Sequence, residues 1–217
     1  MRFPNAALGV KRIFTAEILS LIAAILGALT VMGAAFTAGV SGVAIASSGN
    51  VASGASLASL GFTAIFGIAT LVLTVIAFFM KLFGVNKANA DESSFGIAFA
   101  LILISLVLSI ISAFLTGTIG SVLNILSQIL NLIITWAIVN GIRNLAVRLS
   151  DSAMEAQGKT VFTLLLCSYG LSIVAKLISL FAPAFASVLS VVALILQLVY
   201  YVLYLIFLSR AKKMLGA

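Results

Sequence analysis

Residues 96–115 read GIAFALILISLVLSIISAFL, a run of twenty amino acids without a charged side chain. A bilayer core of about 30 Å needs roughly 20 apolar residues when a helix crosses it. Five more stretches have similar length and composition. The six predicted membrane segments are residues 13–36, 57–83, 96–115, 122–142, 161–181 and 188–208. Runs this long favour helices over the alternating strands of a membrane barrel, so we expect an all-α membrane protein with six transmembrane helices.

The composition excludes an ordinary water-soluble domain. Of the 217 residues, 63% are hydrophobic and 8% are charged, against roughly 25% charged in soluble domains. The mean hydropathy is +1.32. The formal net charge of +7 does not indicate nucleic acid, because the basic residues are scattered singly near segment ends and form no basic face with interleaved aromatics. The lipid bilayer is therefore the expected partner.

The distribution of basic residues predicts the topology. Every Lys and Arg except Lys176 precedes the first segment, follows the last, or lies in or beside the second or the fourth connection. The other connections, residues 37–56, 116–121 and 182–187, carry no charge. Since basic residues concentrate on the cytoplasmic side, both termini are predicted to be cytoplasmic. We expect a single polytopic membrane domain over residues 1–217, in a prokaryotic plasma (inner) membrane. Its helices would form three consecutive hairpins, at about residues 13–83, 95–148 and 160–213.

The first uncharged connection is unusually long. Residues 33–61 are dominated by Gly, Ala and Ser. We interpret the stretch as two lengthened helices joined by a turn near residues 48–50. A flexible loop or a re-entrant element is left open as an alternative.

Polar side chains recur at helical spacing within several segments. In the fourth segment, Asn124, Gln128, Asn131 and Thr135 follow one another at i, i+4, i+7 and i+11. Amides in hydrocarbon are costly without partners, so these faces should point inward, towards a dry helix interface or a polar cavity. If a cavity exists, the residues expected to line it are Lys176, Asn124, Gln128, Asn131, Thr135, Ser172, Gln197 and Tyr201.

Two charged residues inside predicted segments need separate explanations. Lys176 either extends its flexible stem to the nearby membrane boundary or faces inward, where it would attract an anion. Glu17 is close to the start of the first predicted helix. We attribute its position to the helix dipole, which favours a carboxylate in the first turns.

The residue types and motifs that the sequence lacks exclude several classes of function. It has no histidine and a single cysteine, Cys167, within an apolar segment. No catalytic, cofactor-binding or metal site is therefore predicted, and the protein is not expected to be an enzyme. The six-helix plan is similar in size to the substrate-binding subunits of energy-coupling-factor importers, although no motif supports membership. Mitochondrial carriers also have three hairpins, but their Pro-x-Asp/Glu-x-x-Lys/Arg motif is absent.

Two classes of function remain. One is a small-molecule or ion transporter or channel, or its substrate-binding subunit, with a preference for an anionic or zwitterionic ligand. The other is a non-transporting accessory, assembly, immunity or sensory component whose polar stripes are packing contacts. A homo-oligomer or a partner membrane subunit is compatible with either class.

Overall fold

The structure is a computed structural model. It describes the backbone of residues 3–47, 52–115, 118–178, 181 and 183–216. Side chains are described for these residues except at positions 33–47, 52–63, 113, 118–119, 121, 124, 177 and 183–187.

Within those residues the chain is entirely helical, without a strand. The helices are α1 Pro4–Ser47, α2 Ala52–Asn89, α3 Ser94–Phe114, α4 Thr118–Arg148, α5 Ser152–Ile178 and α6 Pro183–Gly216. Each contains a stretch long and apolar enough to cross a membrane. The prediction of six such helices is confirmed, and the protein is a multi-pass membrane protein. The hairpin arrangement, the single domain and the cytoplasmic termini stay predictions.

The helices extend further than the apolar segments from which they were predicted. α1 begins at Pro4 and not near residue 13, and α6 continues to Gly216. Lys and Arg are good helix formers, and their long stems let the charge leave the hydrocarbon while the backbone stays helical. Helical residues therefore carry most of the charges that the sequence suggested for connections. The expected lengthening of α1 and α2 is confirmed to Ser47 and from Ala52, whereas the turn at residues 48–50 lies outside the described residues.

A short turn separates α4 from α5, and local chemistry accounts for it. Ser150 has φ of 59°, which takes it out of the right-handed helix. The Asp151 amide then donates to the carbonyl of Ala146 (2.9 Å), closing the end of α4. The Asp151 carboxylate accepts from the amide of Met154 (2.9 Å), so it caps the start of α5. Residues 149–151 thus separate two helices that pack against each other.

Contacts divide the chain into two compact units. The first unit is Thr15–Lys81. Ala16, Ala23 and Ala77 are almost fully buried within it, at 1%, 4% and 2% exposed. A methyl group added at Gly27 would lie 3.6 Å from Thr70 Cγ2. Small side chains thus allow α1 and α2 to pack closely in this unit.

The second unit comprises Met1–Phe14 and Leu82–Ala217. α1 and α2 meet here at two glycines, because a Cβ atom on Gly9 would lie 2.5 Å from the carbonyl oxygen of Gly84. Phe95 of α3 lies against Gly141 of α4, where a Cβ atom would come 2.8 Å from the ring. α3 packs against α4, α4 against α5, and α5 against α6. α5 therefore lies between α4 and α6, which carry the candidate amides.

Candidate functional site

Large apolar side chains are packed in one half of the α4–α5–α6 group. We call the helix ends at Arg148, Ser152 and Gly216 the charged ends. Between these ends and the middle of the helices, several side chains are completely buried: Ile138, Ile142, Leu145, Leu165, Phe207 and Leu208. Protein interiors of this kind are close-packed.

The face of α4 that carries Thr135 is packed towards Arg148 but exposed at Asn131. Asn131, Thr135, Ile138 and Ile142 share one face because their spacing is i, i+4, i+7 and i+11. Ile138 and Ile142 are fully buried and Thr135 is 8% exposed. Asn131 is exposed, and Gln128, which continues the face, is partly exposed. The side chain of Asn124 lies outside the described residues.

α6 shows the same change along its length. Gln197 shares a face with Ala193, Tyr200 and Tyr204, which are 3%, 5% and 2% exposed. Gln197 itself is exposed, and Tyr201 is half-buried. A polar side chain is thus accessible on a helix face that is otherwise packed.

The accessible amides of α4 and α6 lie at similar heights. The helical stretch from Asn131 to Arg148 is almost as long as the stretch from Gln197 to Gly216. At about 1.5 Å of rise per residue, Asn131 and Gln197 are roughly 26 and 28 Å from the charged ends. We call Asn131 and Gln197 the exposed amides. They lie in the half of the helices remote from the charged ends.

On α5 the candidate residues have different environments. Ser168 is 1% exposed, Ser172 is half-buried and Lys176 is exposed. Lys176 lies in the last turn of α5, which ends at Ile178. A cation there is favoured by the helix dipole. The position is compatible with both explanations given for Lys176, which stay predictions.

Hydroxyl groups on these faces bond within their own helices. Thr135 Oγ1 donates to the carbonyl of Asn131 (2.9 Å), and Ser172 Oγ donates to the carbonyl of Ser168 (2.9 Å). Neither bond bridges two helices. Local bonds of this kind are ordinary for Ser and Thr in helices and indicate no ligand. The exposed amides are consequently better indicators of a ligand or partner than the hydroxyl residues.

A polar cluster near the start of α3 was not predicted from the sequence. The Glu92 side chain is only 4% exposed and pairs with Arg148 of α4 at 2.7 Å. Its other oxygen accepts from Asn144 Nδ2 (2.9 Å) and from Ser94 Oγ (3.1 Å). The adjacent acidic residues before α3 were a visible signal, but their partners on α4 are distant in the chain.

Asp91 ties the start of α1 into the same region. Its carboxylate accepts from the Ala6 amide (2.7 Å) and from Asn5 Nδ2 (3.2 Å). The first amides of a helix have no partner within the helix, so the carboxylate satisfies one of them and is favoured by the dipole. These bonds hold the start of α1 against the α2–α3 connection.

In the unit Thr15–Lys81, Glu17 is paired with Lys81 at 2.7 Å. The Glu17 side chain is 8% exposed and that of Lys81 is 28% exposed. Because α1 begins at Pro4, Glu17 lies well beyond the first turns of the helix. The helix-dipole explanation was therefore wrong, and the position of Glu17 is explained by its ion pair.

The described residues contain no group of His, Cys, Asp and Glu side chains that could hold a metal ion. Comparisons with protein-family models, with curated proteins and with solved structures find no match. A functional hypothesis must therefore come from the site itself.

Proposed function

We propose that the protein carries a small polar solute, anionic or zwitterionic, across the membrane, and that the exposed amides line part of its path. The proposal assigns no catalytic reaction to the chain. One observation carries it: amides are accessible on helix faces that are packed and apolar one or two turns away.

The energetics of amides in a membrane support this reading. A primary amide presents two donors and an acceptor, and leaving them unsatisfied in hydrocarbon is costly. Accessible amides on inward helix faces are therefore expected to meet water, a polar ligand or another protein.

Cysteine accessibility in native membranes tests the proposal. The exposed Cys167 is first replaced by alanine, and Asn131→Cys and Gln197→Cys are then treated with a small membrane-impermeant thiol reagent. The matched controls are Ile129→Cys and Ile195→Cys, which are also exposed but lie on the opposite faces of the same helices. We expect labelling at the two amide positions and protection at the two controls, because lipid covers the controls.

Labelling at all four positions, or at the controls alone, would contradict the proposed path. Ile142→Cys gives a further check, since this buried position should be protected from both sides of the membrane. The ligand preference is tested separately with Lys176→Met. Unchanged solute flux in that variant would remove the preference for an anion.

The second candidate is an accessory or assembly subunit whose exposed amides contact another copy or another membrane protein. This function is favoured by the small buried fraction of some membrane-spanning helices. Only 11% of the α2 span and 17% of the α3 span are buried, against 44% of the α4 span. Protection of Asn131→Cys and Gln197→Cys, together with cross-linking to a second chain, would support this function and reject transport.

A further inference from the structure

A group of cations from three helices surrounds Gly158 near the charged ends. Because Gly158 has no side chain, the stem of Arg143 packs directly on the α5 backbone, and a Cβ atom there would clash with Arg143 Cγ. Phe207 of α6 lies on the same glycine, 3.3 Å from where that Cβ atom would be. Gly158 is thus the point where α4, α5 and α6 meet.

Arg143 is incompletely satisfied at this point. Its Nε atom is buried, and no other described residue provides it with a hydrogen-bond acceptor. A buried donor without an acceptor costs about 1–3 kcal/mol, and more when the group is charged. Because the Nε atom is buried and the residue as a whole is partly exposed, an external acceptor would reach this guanidinium through its outer nitrogens.

The neighbouring charges leave the group positive. Glu155 pairs with Lys159 at 2.7 Å and also attracts Arg143 electrostatically. Arg210 donates to a neutral acceptor, Gln157 Oε1, at 3.1 Å. Lys159 is thus paired with Glu155, Arg143 is attracted by the same carboxylate, and Arg210 is bonded to a neutral group. We call Arg143, Lys159 and Arg210 the basic cluster.

The basic cluster lies at a single depth. Arg143 comes shortly before the end of α4, Lys159 shortly after the start of α5, and Arg210 shortly before the end of α6. Each is between one and two helical turns from its charged end, so all three are about 8–10 Å inside those ends. Cations at one depth near the ends of membrane-crossing helices suit the phosphate layer of a bilayer better than a soluble ligand.

We propose that the basic cluster binds the phosphate headgroup of an anionic phospholipid, with Arg143 donating from the interior and Arg210 and Lys159 from the exposed side. Guanidinium groups match phosphate oxygens in geometry and charge. The proposal is independent of the transport function, since a headgroup could bind there whether or not a solute crosses the protein.

Lipid titration of the purified, delipidated full-length protein tests this site. Binding of dioleoyl phosphatidylglycerol is measured by native mass spectrometry and compared with dioleoyl phosphatidylcholine, which has a phosphate but no net charge. A basic residue near an anionic headgroup contributes enough to change affinity about fivefold. We expect phosphatidylglycerol to bind at least fivefold more tightly, and Arg143→Gln and Arg210→Gln each to remove about that factor.

Lys213→Gln is the matched control, because it removes one exposed cation from the same end of α6 outside the basic cluster. Its phosphatidylglycerol affinity should change less than twofold. An equal loss in the control, or unchanged binding in both cluster variants, would overturn the proposal. Arg210 is exposed, so its variant remains a valid test if Arg143→Gln does not fold.

A final experiment distinguishes binding of a lipid headgroup from binding of free inorganic phosphate. Excess inorganic phosphate is added and compared with chloride at the same ionic strength. An unchanged phosphatidylglycerol affinity relative to chloride supports the lipid headgroup. Specific displacement by phosphate would identify a soluble-phosphate site and reject the lipid assignment.

Discussion

Replacing Arg148 by methionine should destabilise the protein even though Arg148 is half-exposed. The change leaves the Glu92 carboxylate, 4% exposed, with only the neutral donors Asn144 and Ser94. Removing one partner of a buried ion pair typically costs about 3–5 kcal/mol. Arg148 is 54% exposed, so water screens part of the interaction. We therefore expect a loss of about 2 kcal/mol in the free energy of unfolding.

Glu92→Gln should cost less, about 1 kcal/mol, because the amide can keep one neutral bond while the released Arg148 is solvated. The double variant should then resemble Glu92→Gln alone. This non-additivity is the signature of a direct pair.

The free energies can be measured by equilibrium unfolding in dodecyl maltoside micelles with an increasing fraction of dodecyl sulfate. Lys159→Met is the control, since it removes an exposed cation whose ion pair lies within α5, and it should leave stability unchanged. Additive losses in the Glu92 and Arg148 variants, or a stable Arg148→Met protein, would refute the inference that this pair holds α3 against α4.

Two further substitutions test the packing of each unit. Gly141→Ala would place a methyl group 2.8 Å from the Phe95 ring and should destabilise the protein by about 1–3 kcal/mol. Gly170→Ala is the control, because a Cβ atom there meets nothing within 4 Å, and it should not lower the melting temperature. Equal melting temperatures of the two variants would contradict the described α3–α4 contact. Lys81→Met removes the ion pair between Lys81 and the buried Glu17 and should cost about 3 kcal/mol, with partial recovery on adding Glu17→Gln. No recovery in the double variant, measured in the same micelles, would show that the pair is not direct.

The fold class could be predicted from the sequence because a membrane imposes simple requirements. An apolar run such as residues 96–115 has few alternatives to a helix of spanning length. The helix ends were harder to predict. Charged residues such as Lys11 and Arg210 mark where apolar composition stops, but nothing in their chemistry stops a helix. In contrast, the end of α4 depends on the φ angle of Ser150, which the composition does not reveal.

The ion pairs could not be predicted for a different reason. Glu17 and Lys81, like Glu92 and Arg148, are far apart in the chain and meet only through helix packing. Periodicity identifies the face on which a residue lies but not the neighbour that covers it. For this reason Glu17 was assigned to a local effect, the helix dipole, when its partner was on another helix.

The candidate residues also differ in how much their positions reveal about function. A serine or threonine can satisfy its single donor on the preceding turn, as Thr135 and Ser172 do, so a hydroxyl stripe needs no partner outside its helix. A primary amide has two donors and one acceptor, and a bond to its own helix leaves the rest unsatisfied. Exposure of Asn131 and Gln197 on otherwise packed faces therefore requires water, a solute or a second protein beside them. The choice among these three determines whether the protein transports or assembles, and the paired cysteine positions on α4 and α6 discriminate between them directly.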